Sequence, residues 1–262
     1  MWEEPCISGK EGSGTVFFTG CQLRCIYCQN SDIALSHAGL EISVKRLTEI
    51  FFELAEKGAN NINLVTPSHF TPSIVEAIDK ARSKGFTLPF VWNSSGYETP
   101  EALELLRGKI DVFLPDLKYF SPELSTRFSH APDYFEKASK ALEKMFSMVG
   151  SPRFDERGIM TSGMIVRHLV LPAHTDDSMN VISYLMNTFG ESIYISIMNQ
   201  YTPMPATSGI KELSRHLTTY EYEKVVSHAL DIGVKNGFIQ SRNAASDSFI
   251  PAFDYSGVLK KV

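Results

Sequence analysis

Short apolar runs, rich in β-branched and aromatic residues, alternate with amphipathic stretches along this chain. That rhythm limits its fold more than any other feature. The runs fall at residues 15–19, 62–66, 88–92, 111–114, 164–171 and 193–198. Each has the length and composition of a strand. Helices are predicted over about 43–57, 71–85, 99–108, 134–149, 178–189 and 220–235. In the first of them Ser43 stands at a capping position, Val44, Leu47, Ile50, Phe51 and Leu54 share one face, and Gly58 ends it. Pro72 and Pro100 lie at helix starts, where a missing N–H costs little. Residues 1–14, with Gly9, Gly12 and Gly14, read as a loop, residues 150–158 as another, and the tail from Gly237 has no clear period.

Repeated strand–helix alternation predicts parallel strands joined by right-handed crossovers. The strands are apolar almost throughout, as expected when both faces of a sheet are covered. No Pro/Gly/Ser-rich linker divides the chain, so one domain is expected over 1–262, with a core at about 14–236 and a tail at 237–262. A doubly wound open sheet and a curved, barrel-like sheet both satisfy the pattern, and both place functional loops at the carboxyl ends of the strands. No G-x-G-x-x-G follows the first strand, which argues against a dinucleotide fold.

A net charge of −5 implies no general affinity for nucleic acid, and no apolar run is long enough to span a bilayer. Met1-Trp2-Glu3-Glu4-Pro5 lacks the basic and apolar regions of a secretory signal. Cysteines clustered in such a chain point to a metal site in a reducing cytoplasm rather than to disulfides.

Those cysteines follow the first strand directly. Cys21, Cys25 and Cys28 form a C-x3-C-x2-C pattern within Gly20-Cys21-Gln22-Leu23-Arg24-Cys25-Ile26-Tyr27-Cys28. Three thiolates can hold a cubane iron–sulfur cluster and leave one iron open to a substrate. A zinc site completed by His37 or His69 is the rival reading, although the spacing is unusual for zinc. Cys6 stands apart and reads as a small semi-buried side chain. Every other strand end also carries polar residues: Thr66, Ser68 and His69; Asn93, Ser94 and Ser95; Asp116 and Lys118; Arg167 and His168; Asn199, Gln200 and Tyr201. Together they describe a polar cup with a metal on one side.

With an aromatic residue, Tyr27, just before the last cysteine, the motif resembles that of the radical S-adenosylmethionine (SAM) superfamily. Asp116-Leu117-Lys118 and the run Arg167-His168-Leu169-Val170-Leu171-Pro172 resemble the pyruvate formate-lyase activating enzymes. Ile62-Asn63-Leu64-Val65-Thr66-Pro67, Asn93-Ser94-Ser95-Gly96-Tyr97 and Leu114-Pro115-Asp116-Leu117-Lys118-Tyr119 are similar to segments of activating-enzyme-like proteins in that group. The likeness covers about residues 7–236.

The resemblance implies a partial (β/α)6 TIM-type barrel, a parallel curved sheet with outer helices. It implies a [4Fe-4S] cluster on Cys21, Cys25 and Cys28, with the amino and carboxylate groups of SAM on the fourth iron. It further implies reductive cleavage of SAM to a 5′-deoxyadenosyl radical that abstracts hydrogen, with the protein supplying orientation and exclusion of water and oxygen. Tyr27 matches an adenine contact. Asp116 and Lys118 match a SAM-contacting pair able to hold ribose hydroxyls and the methionine carboxylate. Arg167 matches an arginine near SAM, and Gln200 or Tyr201 a SAM contact after the sixth strand. The family's Gly-Gly-Glu after the second strand is replaced by Thr66-Pro67-Ser68-His69, with Ser68 able to accept the amino group. The activating enzymes' Asp after the third strand is Asn93, which removes a negative charge from their cation site. A flavodoxin or ferredoxin-type reductant is implied, with a glycyl-radical enzyme as the substrate. The alternatives are a small molecule or peptide substrate and a non-catalytic cluster or zinc module that senses metal or redox state.

Overall fold

The computed structural model describes residues 4–35, 38–240 and 253–259. The strands are β1 (Gly14–Phe17), β2 (Ile62–Val65), β3 (Phe90–Ser94), β4 (Val112–Pro115), β5 (Arg153–Phe154), β6 (Met160–Leu169), β7 (Tyr194–Met198) and β8 (Gly237–Ile239). The helices are α1 (Pro5–Ser8), α2 (Ser31–Ala34), α3 (Val44–Glu56), α4 (Thr71–Ser83), α5 (Pro100–Glu104), α6 (Pro122–Ser129), α7 (Tyr134–Val149), α8 (Thr175–Phe189) and α9 (Thr219–Asp231).

The sheet runs β1-β2-β3-β4-β6-β7-β8, parallel at every pairing, with β5 antiparallel to β6 outside that path. β1 and β8 are the two edges, so the barrel is partial and the sheet is not closed. β2 and β4 are buried at every residue, which accounts for the unbroken apolar sequence of β4 and for a β2 that is apolar except at the buried Asn63. Most helices begin where their sequences say they should. The Ser43 side chain accepts from Arg46 N at 3.1 Å at the start of α3. At α9 Thr218 and Glu221 cap one another reciprocally.

The main core lies between sheet and helices and includes Leu47, Phe51, Leu64, Ile74, Trp92, Phe113, Leu142 and Val225. A second, smaller core fills the inside of the sheet. Here Cys6 and Ile7 pack against Val91, Val112, Leu114, Met160 and Ile165. Residues 4–9 therefore plug the barrel. The sequence reads this region as a loop because the four residues of α1 are too few to show a helical period. β8 corrects the unstructured reading of the tail: three residues are too short for a strand pattern, but the free edge of β7 supplies their hydrogen bonds. β6 starts at Met160, ahead of the expected 164, because β5 pairs with its first residues. α6, opened by Ser121 and Pro122, stands where no helix was expected. The last described segment returns to the opposite edge of the sheet. Phe253 meets Phe17 edge-on at 5.3 Å, and Arg46 donates to the Gly257 and Val258 carbonyls at 2.9 Å each. Among the described residues no helix is long and apolar enough to cross a membrane.

Candidate cofactor site

A cleft of about 690 Å³ runs along the inner face of β1, from Ser8–Ser13 near the strand starts to the cysteine loop at their carboxyl ends. Cys21, Cys25 and Cys28 line it together, with Tyr27 beside them. Gly20 opens the loop at φ +88°, and a Cβ there would come within 2.8 Å of the His69 ring. Only glycine supplies both the left-handed turn and the close passage. The loop is then fastened to the end of α6: Ile26 N donates to Phe128 O at 2.9 Å and Arg24 N to Ser129 O at 3.3 Å.

Burial pushes all three thiols up, and for Cys28 burial and the neighbouring Cys25 raise it to about 11. Thiols in such a place become thiolates by binding metal. The donor set is three soft sulfurs on one wall of an open cleft, with Cys6 far off in the second core. That set fits a cluster with one open coordination position. Among the described residues no group of His, Cys, Asp and Glu is arranged to hold a single metal ion. His37 lies outside the described residues, and His69 is exposed on a single turn of 3-10 helix.

Asp116 and Lys118 sit at the end of β4, paired at 2.5 Å. The turn that carries them is held from both sides. Asp116 N donates to Ser94 O at 2.9 Å on β3, and Leu117 N to Arg167 O at 2.8 Å on β6. Tyr134, wholly buried, braces it: its hydroxyl accepts from Lys118 N at 3.0 Å and donates toward Ser95 O and Asp116 O at 2.8 and 3.0 Å. Burial pulls the Lys118 ammonium down, yet Asp116 and Cys25 hold it well above the usual lysine range. It is therefore a fixed cation beside the cysteines.

Asn93, Arg167 and Gln200 also line the cleft. Arg167 is met by an unexpected partner. Glu4, from the plug, receives its Nε and Nη2 at 2.9 and 2.7 Å. Burial raises the Glu4 carboxyl, but Arg167 outweighs that and leaves it below its ordinary value. The Gln200 amide oxygen accepts from Gln240 at 3.2 Å. Of the two alternatives after the sixth predicted strand, Tyr201 spends its hydroxyl on Leu213 O at 2.6 Å and offers the cleft only its ring, 6.1 Å from that of Tyr27. Ser68 is not on the cleft wall. It lines a smaller cavity of about 80 Å³ behind the cysteine loop and donates to buried Glu98 at 2.6 Å. Thr66, in the left-handed region at φ +51°, takes the cleft position after β2. His168 is buried inside the fold, with Nδ1 at 2.7 Å from Leu117 O.

No periodicity or motif marks Glu4, Tyr134 or Glu98, which reach the site through tertiary packing. The Ser121-Pro122-Glu123 start was a usable helix signal for α6, but nothing in it points to Ser129 as a neighbour of Cys25.

Residues 15–182 match the radical SAM superfamily. The chain is 29% identical over 226 residues to "Uncharacterized protein MJ0674" of Methanocaldococcus jannaschii, covering 83% of this chain and 62% of that protein. Solved structures share the fold at low identity. HydG, the FeFe-hydrogenase maturase of Carboxydothermus hydrogenoformans, superposes with TM-score 0.60 at 19% identity over 86% of this chain and 52% of its own. Streptococcus suis SuiB bound to precursor peptide SuiA gives 0.59 at 9%, over 88% and 49%. A domain of pyruvate-formate lyase-activating enzyme from Bacteroides vulgatus gives 0.52 at 10%, over 70% and 100%. The match from β1 into α8, with three thiols converging on one cleft, makes this chain a member of the radical SAM superfamily, with a [4Fe-4S] cluster and SAM as its cofactors.

Proposed function

We propose that this protein is a radical SAM oxidoreductase that abstracts hydrogen from a polypeptide, with a glycine of a glycyl-radical enzyme as its substrate. The observation that carries the reading is the shape of the cleft. It is an open cleft along the edge strand β1, which among the described residues pairs only with β2, in a sheet whose ends do not meet. Phe17 and Phe18 lie along it, and Phe17 is 39% exposed. A cleft of this kind suits an inserted loop, whereas a metabolite calls for an enclosing pocket. The activating-enzyme resemblance supports the same choice.

Cys21, Cys25 and Cys28 would hold the cluster, which when bound and reduced would supply the one electron for cleavage of SAM to methionine and a 5′-deoxyadenosyl radical able to take a hydrogen atom. The chain's own residues do the rest. Lys118 fixes a positive charge for the methionine carboxylate, and Asp116 accepts from hydroxyl or ammonium groups. Asn93 and Gln200 offer neutral amides, and the Tyr27 and Tyr201 rings supply an apolar wall for the adenine. Ser68, engaged by Glu98, positions the turn after β2 rather than touching SAM. Arg167, already met by Glu4, anchors the plug under the site. The electron comes from a flavodoxin or ferredoxin-type reductant in the cytoplasm.

The test is anaerobic reconstitution followed by dithionite and SAM, with 5′-deoxyadenosine measured chromatographically. Formation is expected, together with its loss in Cys25→Ala. No product above background at full cluster loading refutes the activity. Anaerobic pull-down then decides the substrate: a co-purifying glycyl-radical enzyme that acquires a glycyl radical signal supports the reading. Deuterium passing from a small metabolite into 5′-deoxyadenosine, with no radical on the enzyme partner, refutes it.

A further inference from the structure

Cys21 and Cys28 are met by backbone groups at Leu23 and Asn30, whereas Cys25 is met by a buried side-chain hydroxyl. Ser129, at the last position of α6 and 1% exposed, donates from Oγ to Cys25 Sγ at 3.0 Å. Ser129 Oγ is in turn 2.7 Å from the Tyr119 hydroxyl, and that hydroxyl is 2.5 Å from the Tyr27 hydroxyl. All three are buried. A cysteine holding iron is a thiolate, which carries no proton and can only accept. The direction of the whole row is then fixed. Ser129 must donate to Cys25, so Tyr119 donates to Ser129 and Tyr27 donates to Tyr119. Each hydroxyl proton has one place to go.

We propose that Ser129 is a positioning residue that sets the reduction potential of the cluster through Cys25, with Tyr119 and Tyr27 as the donors that orient and strengthen its hydroxyl. The physical ground is that a donor to a ligating sulfur stabilises the more electron-rich, reduced cluster and so raises its potential. Each donor behind it polarises the next, strengthening the bond to sulfur. The row also ties the potential to occupancy of the SAM site, since Tyr27 lines the cleft with its ring while its hydroxyl heads the row. This goes beyond the proposed substrate and does not depend on it.

The experiment is an anaerobic redox titration of the cluster-loaded full chain, followed by electron paramagnetic resonance and performed without SAM, so that its result is separate from any failure of SAM cleavage. Ser129→Ala is expected to make reduction about tenfold harder, a fall of about 60 mV for one electron. Tyr119→Phe and Tyr27→Phe are expected to lower it in the same direction by smaller, successive amounts. In the unaltered protein the reduced cluster is expected to show an exchangeable proton coupling that disappears in Ser129→Ala. A Ser129→Ala potential equal to that of the unaltered protein, at equal iron content, overturns the proposal. Where Ser129→Ala fails to load iron, the Tyr119→Phe potential decides: no shift overturns the proposal, and a fall supports it. A purely structural role would lower thermal stability and leave the potential in place.

Discussion

Removing Glu4 tests the idea that the N-terminal plug is part of the cofactor site. The Glu4 side chain is 6% exposed and that of Arg167 13%, and they meet through two hydrogen bonds of 2.9 and 2.7 Å. Glu4→Ala removes the carboxylate that meets two nitrogens of a nearly buried guanidinium. Loss of one partner of such a pair costs about 3–5 kcal/mol, because the remaining charge stays out of water. At about 2–4 °C per kcal/mol for a chain of this size, the midpoint falls by roughly 6–20 °C. The assay is thermal unfolding of cluster-loaded protein, followed by circular dichroism under anaerobic conditions. Glu4→Ala/Arg167→Ala removes both charges and is expected to be more stable than the sum of the two single variants predicts. The pH dependence has a definite sign. The Glu4 carboxyl is held below its ordinary 4.5 in the folded chain. Its contribution is therefore complete above that value and is lost as pH falls through the lowered one. A Glu4→Ala midpoint within about 2 °C of the unaltered protein, or strict additivity in the double variant, refutes the reasoning.

Two further outcomes follow from the turn at the end of β4. Gly96 stands at φ +72°, and a Cβ there would collide with the Asp116 carbonyl. Gly96→Ala should lose at least about 1–2 kcal/mol from backbone strain alone, read as a fall in the unfolding midpoint. It should also weaken SAM binding by displacing Asp116 and Lys118. Lys118→Ala removes the fixed cation beside the cysteines. Its dissociation constant for SAM, measured by equilibrium dialysis on cluster-loaded protein, should rise about tenfold or more; an unchanged value removes Lys118 from the SAM site.

Local chemistry made much of this protein legible. The runs that became β2, β4 and β7 declare themselves because strands covered on both faces need largely apolar sequence, broken here only by the buried Asn63 and Ser196. The cysteine spacing declares a metal site, and its resemblance to the radical SAM motif is what implies a cluster there. The strand-end rule brought Asn93, Asp116, Lys118, Arg167 and Gln200 to one cleft. Its exceptions are equally physical. Ser68 turns away because Glu98, six residues from Trp92 and buried under the same loop, takes its hydrogen bond.

The sequence alone determined the alternating α/β architecture, the metal-binding loop and the polar strand ends, since each follows from periodicity or from residue type at fixed spacing. Only the tertiary structure decided what those groups face. Glu4 lies 163 residues from Arg167 and Ser129 lies 104 from Cys25. Pairings over such separations leave no periodic trace in the chain. They arise when the plug enters the barrel and when the end of α6 closes over the cysteine loop. They set the charge under the site and the hydrogen bond on its sulfur, because burial gives each partner a greater electrostatic weight than it would have in water.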